Sequence, residues 1–289
     1  MDPQTAVVAL GLASAVAWGS ADFGGGLAGR RAPLFGVVLF SQFVGLSLAL
    51  GVAMARGEPF PASNDVAIAL VGGVLGAVGI GALYGGLAGG RMGVVAPISG
   101  VLTAVIPVAA GIVIEGLPGS AAMAGIALAL VAVVLVSSAP GGPSTLPRRR
   151  VGGIPFDVAL ALVAGTSLGL LNLVLSRLSS GTVFAPLVLA RIVQAVVIGS
   201  VILAIRSPWR VPRRVWPLVL LAGGLDMAGN GLFILAAQAG RLDTAAILSS
   251  LYPVATLVLA AAVLKERIAG VHALGVAAAV VAIVLVRVG

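Results

Sequence analysis

Long apolar blocks, broken at short intervals by charge, proline and glycine, set the plan of this chain. Each block runs for roughly twenty residues, the length that crosses about 30 Å of hydrocarbon at 1.5 Å per residue. The pattern predicts ten helical spans near 6–28, 33–54, 67–88, 94–114, 121–138, 157–176, 183–205, 217–237, 243–264 and 269–287. The breaks have physical causes. "GRRAP", "ARGEPFPASND", "RSPWRVPRRVWP" and "KERIAG" combine charges, which are costly in lipid, with residues that end or kink a helix. The longest break, "SAPGGPSTLPRRRVGGIP", divides the chain into five spans and five spans.

The two halves match at a shift of 150 residues. "GGRMG" around Arg91 falls on "AGRLD" around Arg241, and Gly73, Gly79 and Gly81 fall on Gly223, Gly229 and Gly231. "GIALALVAVVLV" (125–136) falls on "GVAAAVVAIVLV" (275–286) with eight identities in twelve. The expected organisation is a first five-helix repeat over 1–138, a linker loop over 139–154 and a second repeat over 155–289. An odd number of spans per copy turns the second copy over. The predicted fold class is therefore an all-α polytopic membrane protein, with ten transmembrane helices as two inverted five-helix repeats around a central cavity. This is a transporter plan, in which two halves exchange inward- and outward-open shapes.

Composition agrees with the pattern: of 289 residues 60% are hydrophobic and only 9% charged. A soluble domain carries about 25% charged residues. The net charge of +8 would suggest nucleic acid in a soluble protein, but here the arginines sit in short loops, where they read as topology signals and lipid headgroup contacts. No nucleic-acid partner is expected. There is no cysteine and one histidine, His272, so neither a thiolate nucleophile nor a thiolate or histidine metal site is supported. No cofactor, metal or catalytic residue is predicted. No phosphate-cradling G-x-x-x-x-G-K-[ST] loop is present, so the drive would come from a solute or proton gradient, or transport would be facilitated.

Loop charge also predicts orientation. The loops after spans 1, 3, 5, 7 and 9 hold twelve Lys and Arg residues, while the opposite side holds Arg56, Arg177, Arg241 and Arg287. Positive charge concentrates in the cytoplasm, which places both termini outside and the Arg148–Arg150 loop inside.

The candidate chemistry lies in the spans. "LLAGGLDMAGNGLFILAAQAG" (220–240) puts Asp226 and Asn230 four apart, on one helix face, among five glycines. Such a stripe should face a water-filled cavity or a partner rather than lipid. Span 1 repeats the arrangement with Trp18 and Asp22, and Ser20 between them. Asp22 and Asp226 lie at comparable depth and could hold a proton, a substrate amine or a buried arginine; Trp18 is a cavity wall or packing. Span 9 offers Ser249 and Tyr252 beside Pro253, which frees the carbonyl of Ser249. Span 4 offers Ser99 and Thr103, span 6 Ser167 and Asn172, and span 3 Tyr84 near its end, in the cavity or at the interface. Serine and threonine often bond back to their own helix, whereas an amide in lipid needs a partner. Arg191, with Gln194 on its face, reads as structural or as snorkelling to the interface. His272 is expected at the interface, and Glu115 and Glu266 are expected to cap or pair.

"FILAAQAGRLDTAAILSSLYPVATLVLAAAVLKERIAGVHALGVAAAVVAIVLV" (233–286) resembles the repeat of the drug/metabolite transporter superfamily, EamA type. The matching marks are the small-residue turn with Arg241, Pro253 in span 9, "LKERI" with Glu266, and Gly275 in the last span. The first half departs from them. Glu115 in "IVIEGLPG" lacks the basic partner, and Pro97 and Pro107 are displaced from the Pro253 position. The resemblance implies a secondary transporter of small metabolites working by alternating access, and most resembles the YddG-type exporters of aromatic or other hydrophobic amino acids. Exporters or exchangers of drugs, nucleotide sugars or other metabolites are the alternative, and a membrane-embedded enzyme a remote one. It further implies a cavity surrounded by spans 1, 3, 4, 6, 8 and 9, with a small-molecule substrate, the bilayer and protons as candidate partners. A monomer in the plasma (inner) membrane is expected, with a homodimer as the alternative. The resemblance favours cytoplasmic termini, against the loop charges. Asp226 is expected to be an unpaired carboxylate suited to proton exchange, facing Trp18, Ser20, Ser249 and Tyr252.

Overall fold

The computed structural model describes residues 2–89, 92–138, 150–265 and 269–288. Within them lie α1 (Pro3–Gly29), α2 (Leu34–Arg56), α3 (Ser63–Gly89), α4 (Met92–Glu115), α5 (Ser120–Ser137), α6 (Phe156–Leu175), α7 (Phe184–Ile205), α8 (Trp216–Ala239), α9 (Leu242–Ser249), α10 (Tyr252–Leu264) and α11 (Gly270–Val288). A short hairpin, β1 (Arg150–Val151) and β2 (Ile154–Pro155), turns at Gly152 and Gly153, whose φ angles of 57° and 82° suit glycine. It occupies the end of the predicted linker; residues 139–149 lie outside the described residues. Helix ends follow the local chemistry. The Asp2 carboxylate accepts from the Thr5 N–H at 2.9 Å and caps α1, and Gly57, at φ 63°, ends α2.

These helices make ten spans long and apolar enough to cross a membrane. Span 9, predicted as one helix over 243–264, is instead two. The Ser250 and Leu251 N–H groups bond to the carbonyls of Ala246 and Leu248, closing α9, and the chain restarts at Tyr252. Pro253 explains the break. It has no N–H to continue the α9 ladder, and it sits in the first turn of α10, where none is needed. Pro97 and Pro107 lie within the continuous α4.

The packing is reciprocal between the halves. α1 lies along α8 and α3 along α6; α2 meets α8 and α3 meets α7. The glycines in register carry this reciprocity. A Cβ on Gly79 would lie 2.8 Å from Leu168, and one on Gly229 would lie 2.7 Å from the Trp18 indole nitrogen; Trp18 and Leu168 are themselves 150 residues apart. Likewise a Cβ on Gly125 would lie 2.7 Å from Val286, and one on Gly275 would lie 2.8 Å from Val136. Early in one helix meets late in the other, in both directions, so α5 and α11 run antiparallel. Small residues at these crossings let backbones approach closely, the means by which helices associate in lipid.

The interior is apolar, with Phe233, Leu187, Ile247 and Leu248 nearly without exposure. The outer surface is apolar too: Val196, Leu203, Val280 and Val284 are all exposed, as suits a chain whose solvent there is hydrocarbon.

Candidate functional site

A cavity of about 130 Å³ lies between the helices. Trp18, Asp22 and Gly25 of α1 line it from one side, and Val37, Val38 and Gln42 of α2 from another. Asp226 and Asn230 of α8, Arg191 and Gln194 of α7, and Asn172 of α6 supply most of the polar wall. Thr103 and Tyr252 complete it from α4 and α10. The break between α9 and α10 is what presents Tyr252, the first residue of α10, to this space.

The charges are arranged asymmetrically. Arg191 is only 3% exposed, so it does not snorkel. Its Nη2 donates to the Asp226 carboxylate at 2.6 Å, and its Nη1 donates to Gln42 Oε1 at 2.6 Å and Gln194 Oε1 at 3.4 Å. Asp226 is therefore paired, which corrects the expectation of an unpaired carboxylate. Asn230 Nδ2 donates to the Asp226 carbonyl at 2.6 Å and faces the same space. Asp22 differs: its carboxylate is open to the cavity and has neither an ion pair nor a hydrogen bond among the described residues.

The aromatic wall is built by packing. Trp18 lies against Phe233 with ring centroids 5.7 Å apart and meets Tyr252 edge-on at 6.5 Å. Gly229 makes room for the indole and Gly19 for α10, because a Cβ at Gly19 would overlap the Tyr252 carbonyl oxygen. The glycines of the "LLAGGLDMAGNG" stretch thus serve close approach, at Gly223 to α2 and at Gly229 to α1.

Of the predicted side chains, Trp18, Asp22, Thr103, Asn172, Asp226, Asn230 and Tyr252 come together on the cavity. Ser20, Ser99, Ser167 and Ser249 do not line it. Ser20 bonds back to the Val16 carbonyl at 2.7 Å and Ser99 to that of Val95 at 2.8 Å, while Ser249 is buried against the Gly11 carbonyl of α1 at 3.4 Å. Ser167 is buried among the helices. The side chain of Tyr84, and all of Glu266, lie outside the described residues. Gln42 was missed, although a mid-span amide is the same signal that singled out Asn172. Arg191 was noticed, but its partners on α2 and α8 are distant in sequence.

The lining residues Gly25, Val37 and Ala222 lie within about two turns of the helix ends that carry the 30–33 and 206–215 loops. The cavity extends toward that basic end. The opposite end is tied shut. Glu58 Oε2 accepts from the N–H groups of Val183, Phe184 and Ala185 at 3.2, 2.8 and 2.9 Å, capping α7. Asp65 accepts from Ser179 and Thr182, and Glu115 caps α9 through the Leu242 N–H at 3.0 Å. Arg241 joins Asp243 at 2.6 Å to the Gly116 carbonyl. At the basic end, by contrast, His272 of α11 lies with Nε2 2.7 Å from the Ser138 carbonyl, while Glu58, Asp65 and Arg241 hold the opposite end. Glu58→Gln should loosen this end by about 1.5–3 kcal/mol, since the bonds lost are charge-assisted. Faster thiol labelling of a cysteine placed at Thr182 would measure it; an unchanged rate would mean that Glu58 does not hold the end closed.

Comparison with known proteins agrees with this geometry. Residues 156–288 match the EamA-like transporter family. A solved structure titled only "Crystal structure of protein" is similar over 97% of this chain and 96% of its own, with a TM-score of 0.74 at 16% identity, a likeness of fold alone. No curated protein matches. The family-matched half contributes the Arg191–Asp226 pair, Asn172, Asn230 and Tyr252 to the cavity, and the first half completes its walls. The second half of this chain is thus similar to EamA-like transporters, a family of the drug/metabolite transporter superfamily that carries small molecules across membranes, and the ten apolar spans are those of a multi-pass membrane protein.

Proposed function

We propose that the protein is a secondary exporter of aromatic or other hydrophobic amino acids in the plasma (inner) membrane, working by alternating access. The observation that carries this is the central cavity, in which an aromatic wall of Trp18 and Tyr252 faces a few amides, hydroxyls and carboxylates. An apolar site with a small number of placed polar groups suits a small amphipathic solute. The moving halves are the repeats at 1–138 and 155–289, joined by 139–154; the reciprocal antiparallel packing of α5 and α11 supports this. With the basic end in the cytoplasm, as the loop charges argue, the cavity extends toward the compartment from which an exporter loads. If a proton is coupled, Asp22 is its carrier, because Asp226 already holds Arg191.

Counterflow in proteoliposomes with labelled phenylalanine, tyrosine, tryptophan and leucine tests the reading. Exchange of at least one of them is expected. Absence of exchange across the set, with the protein monodisperse, would exclude amino-acid transport. Orientation is tested separately: a cysteine at Ser144 should be protected from an impermeant thiol reagent added outside intact cells.

A further inference from the structure

Three charged side chains among the described residues line the cavity, and two of them neutralise each other. The Arg191 guanidinium spends both terminal nitrogens inside the protein, on Asp226 at 2.6 Å and Gln42 at 2.6 Å, and its side chain is only 4% exposed. Among the described residues no other cation lines the space. Asp22 remains, open to the cavity and without an ion pair or a hydrogen bond among the described residues. Deprotonated, Asp22 gives the lining one unbalanced negative charge. It lies one helical turn from Trp18, on the same face of α1, and Trp18 meets Tyr252 edge-on. A carboxylate beside aromatic rings attracts a cation twice over, by charge and by the ring quadrupole.

A substrate carboxylate meets the reverse situation. It would approach Asp22 and Asp226 with no free cation to receive it. Taking Arg191 from Asp226 would leave a charge uncompensated among packed helices, a strongly unfavourable exchange. The carboxylate of an amino acid must make do with neutral donors such as Asn172 and Tyr252.

We infer that Asp22 is the specificity-determining residue of the cavity and that it reads the ammonium group of the substrate. Amines without a carboxylate are then accepted, and carboxylates without an amine are excluded. The inference rests on the central cavity being the transport site.

Three probes of one shape separate the groups: phenylalanine, phenethylamine and 3-phenylpropionate. Binding of labelled phenethylamine to the purified full-length protein, and its inhibition of phenylalanine counterflow in proteoliposomes, are measured at neutral pH. Phenethylamine should bind and compete, and 3-phenylpropionate should compete at least tenfold less well. Asp22→Asn should lose at least tenfold in phenethylamine affinity while gaining relative affinity for 3-phenylpropionate. That inversion would not follow from mere loosening of the fold. Asp22→Glu should retain the wild-type order. If phenylalanine exchanges but phenethylamine fails to compete, or if Asp22→Asn leaves the order of the probes unchanged, the ammonium reading falls and the transport site stands. If no probe binds and none exchanges, both fall.

Discussion

Arg191→Ala should destabilise the protein by about 3–5 kcal/mol and abolish transport, the largest effect expected of any single substitution in the cavity wall. The arginine is 3% exposed and ties three helices, α7 through its own backbone, α2 through Gln42 and α8 through Asp226. Removing it leaves the Asp226 carboxylate uncompensated and strips Gln42 Oε1 of its donor. The cost comes from the groups left behind more than from the pair itself, because a buried pair roughly offsets its own desolvation. Two further variants follow from that. Asp226→Asn should cost less than Arg191→Ala, since asparagine still offers an oxygen to the guanidinium. Arg191→Gln with Asp226→Asn should recover much of the stability of Arg191→Ala, because no lone charge remains. Thermal unfolding in detergent, followed by the monodisperse fraction, orders the three. An Arg191→Ala protein as stable as wild type would show that the pair holds nothing together.

Gly19→Ala should be the most damaging single methyl in α1. The added Cβ would overlap the Tyr252 carbonyl oxygen and lie 2.6 Å from Ala255 Cβ and 3.0 Å from the Thr256 backbone nitrogen. Two of these three are backbone atoms of α10, which cannot turn aside as a side-chain tip can. α1 and α10 must then separate. The Thr256 hydroxyl would lose the Gly19 carbonyl it reaches at 3.0 Å, and Tyr252 would draw away from Trp18. Overpacking of this kind costs about 1–3 kcal/mol, and valine should cost more than alanine. Transport should fall further than stability, because the displaced residues are the aromatic wall itself. Gly26→Ala is the control: nothing lies within 4 Å of its added Cβ, and replacing a mid-helix glycine there should gain about 0.5–1 kcal/mol. Equal behaviour of the two variants in counterflow would remove Gly19 from the account.

Hydrophobic patterning by itself determined the ten spans, because each must satisfy its backbone internally and match about 30 Å of hydrocarbon. The glycine register pointed to two related halves, and all of those glycines but Gly81 do sit at the crossings of α3 and α8 with their neighbours. Four side chains with more than one polar atom were legible as cavity residues, although Gln42 of the same kind was not. An amide or carboxylate cannot be satisfied by its own helix alone, and Asn172, Asn230, Asp22 and Asp226 all line the space. Serine hydroxyls were not legible. Ser20 and Ser99 fall back on carbonyls four residues earlier, and sequence does not say which hydroxyl will do so. The tertiary structure alone decided the pairing of charges. Arg191, Asp226 and Gln42 lie on three helices and meet only when α2, α7 and α8 pack. That meeting neutralises Asp226, the acid most conspicuous in the sequence, and leaves Asp22 without a partner. A charge in a span must find a counter-charge or water, but only the folded chain decides which of the two it finds.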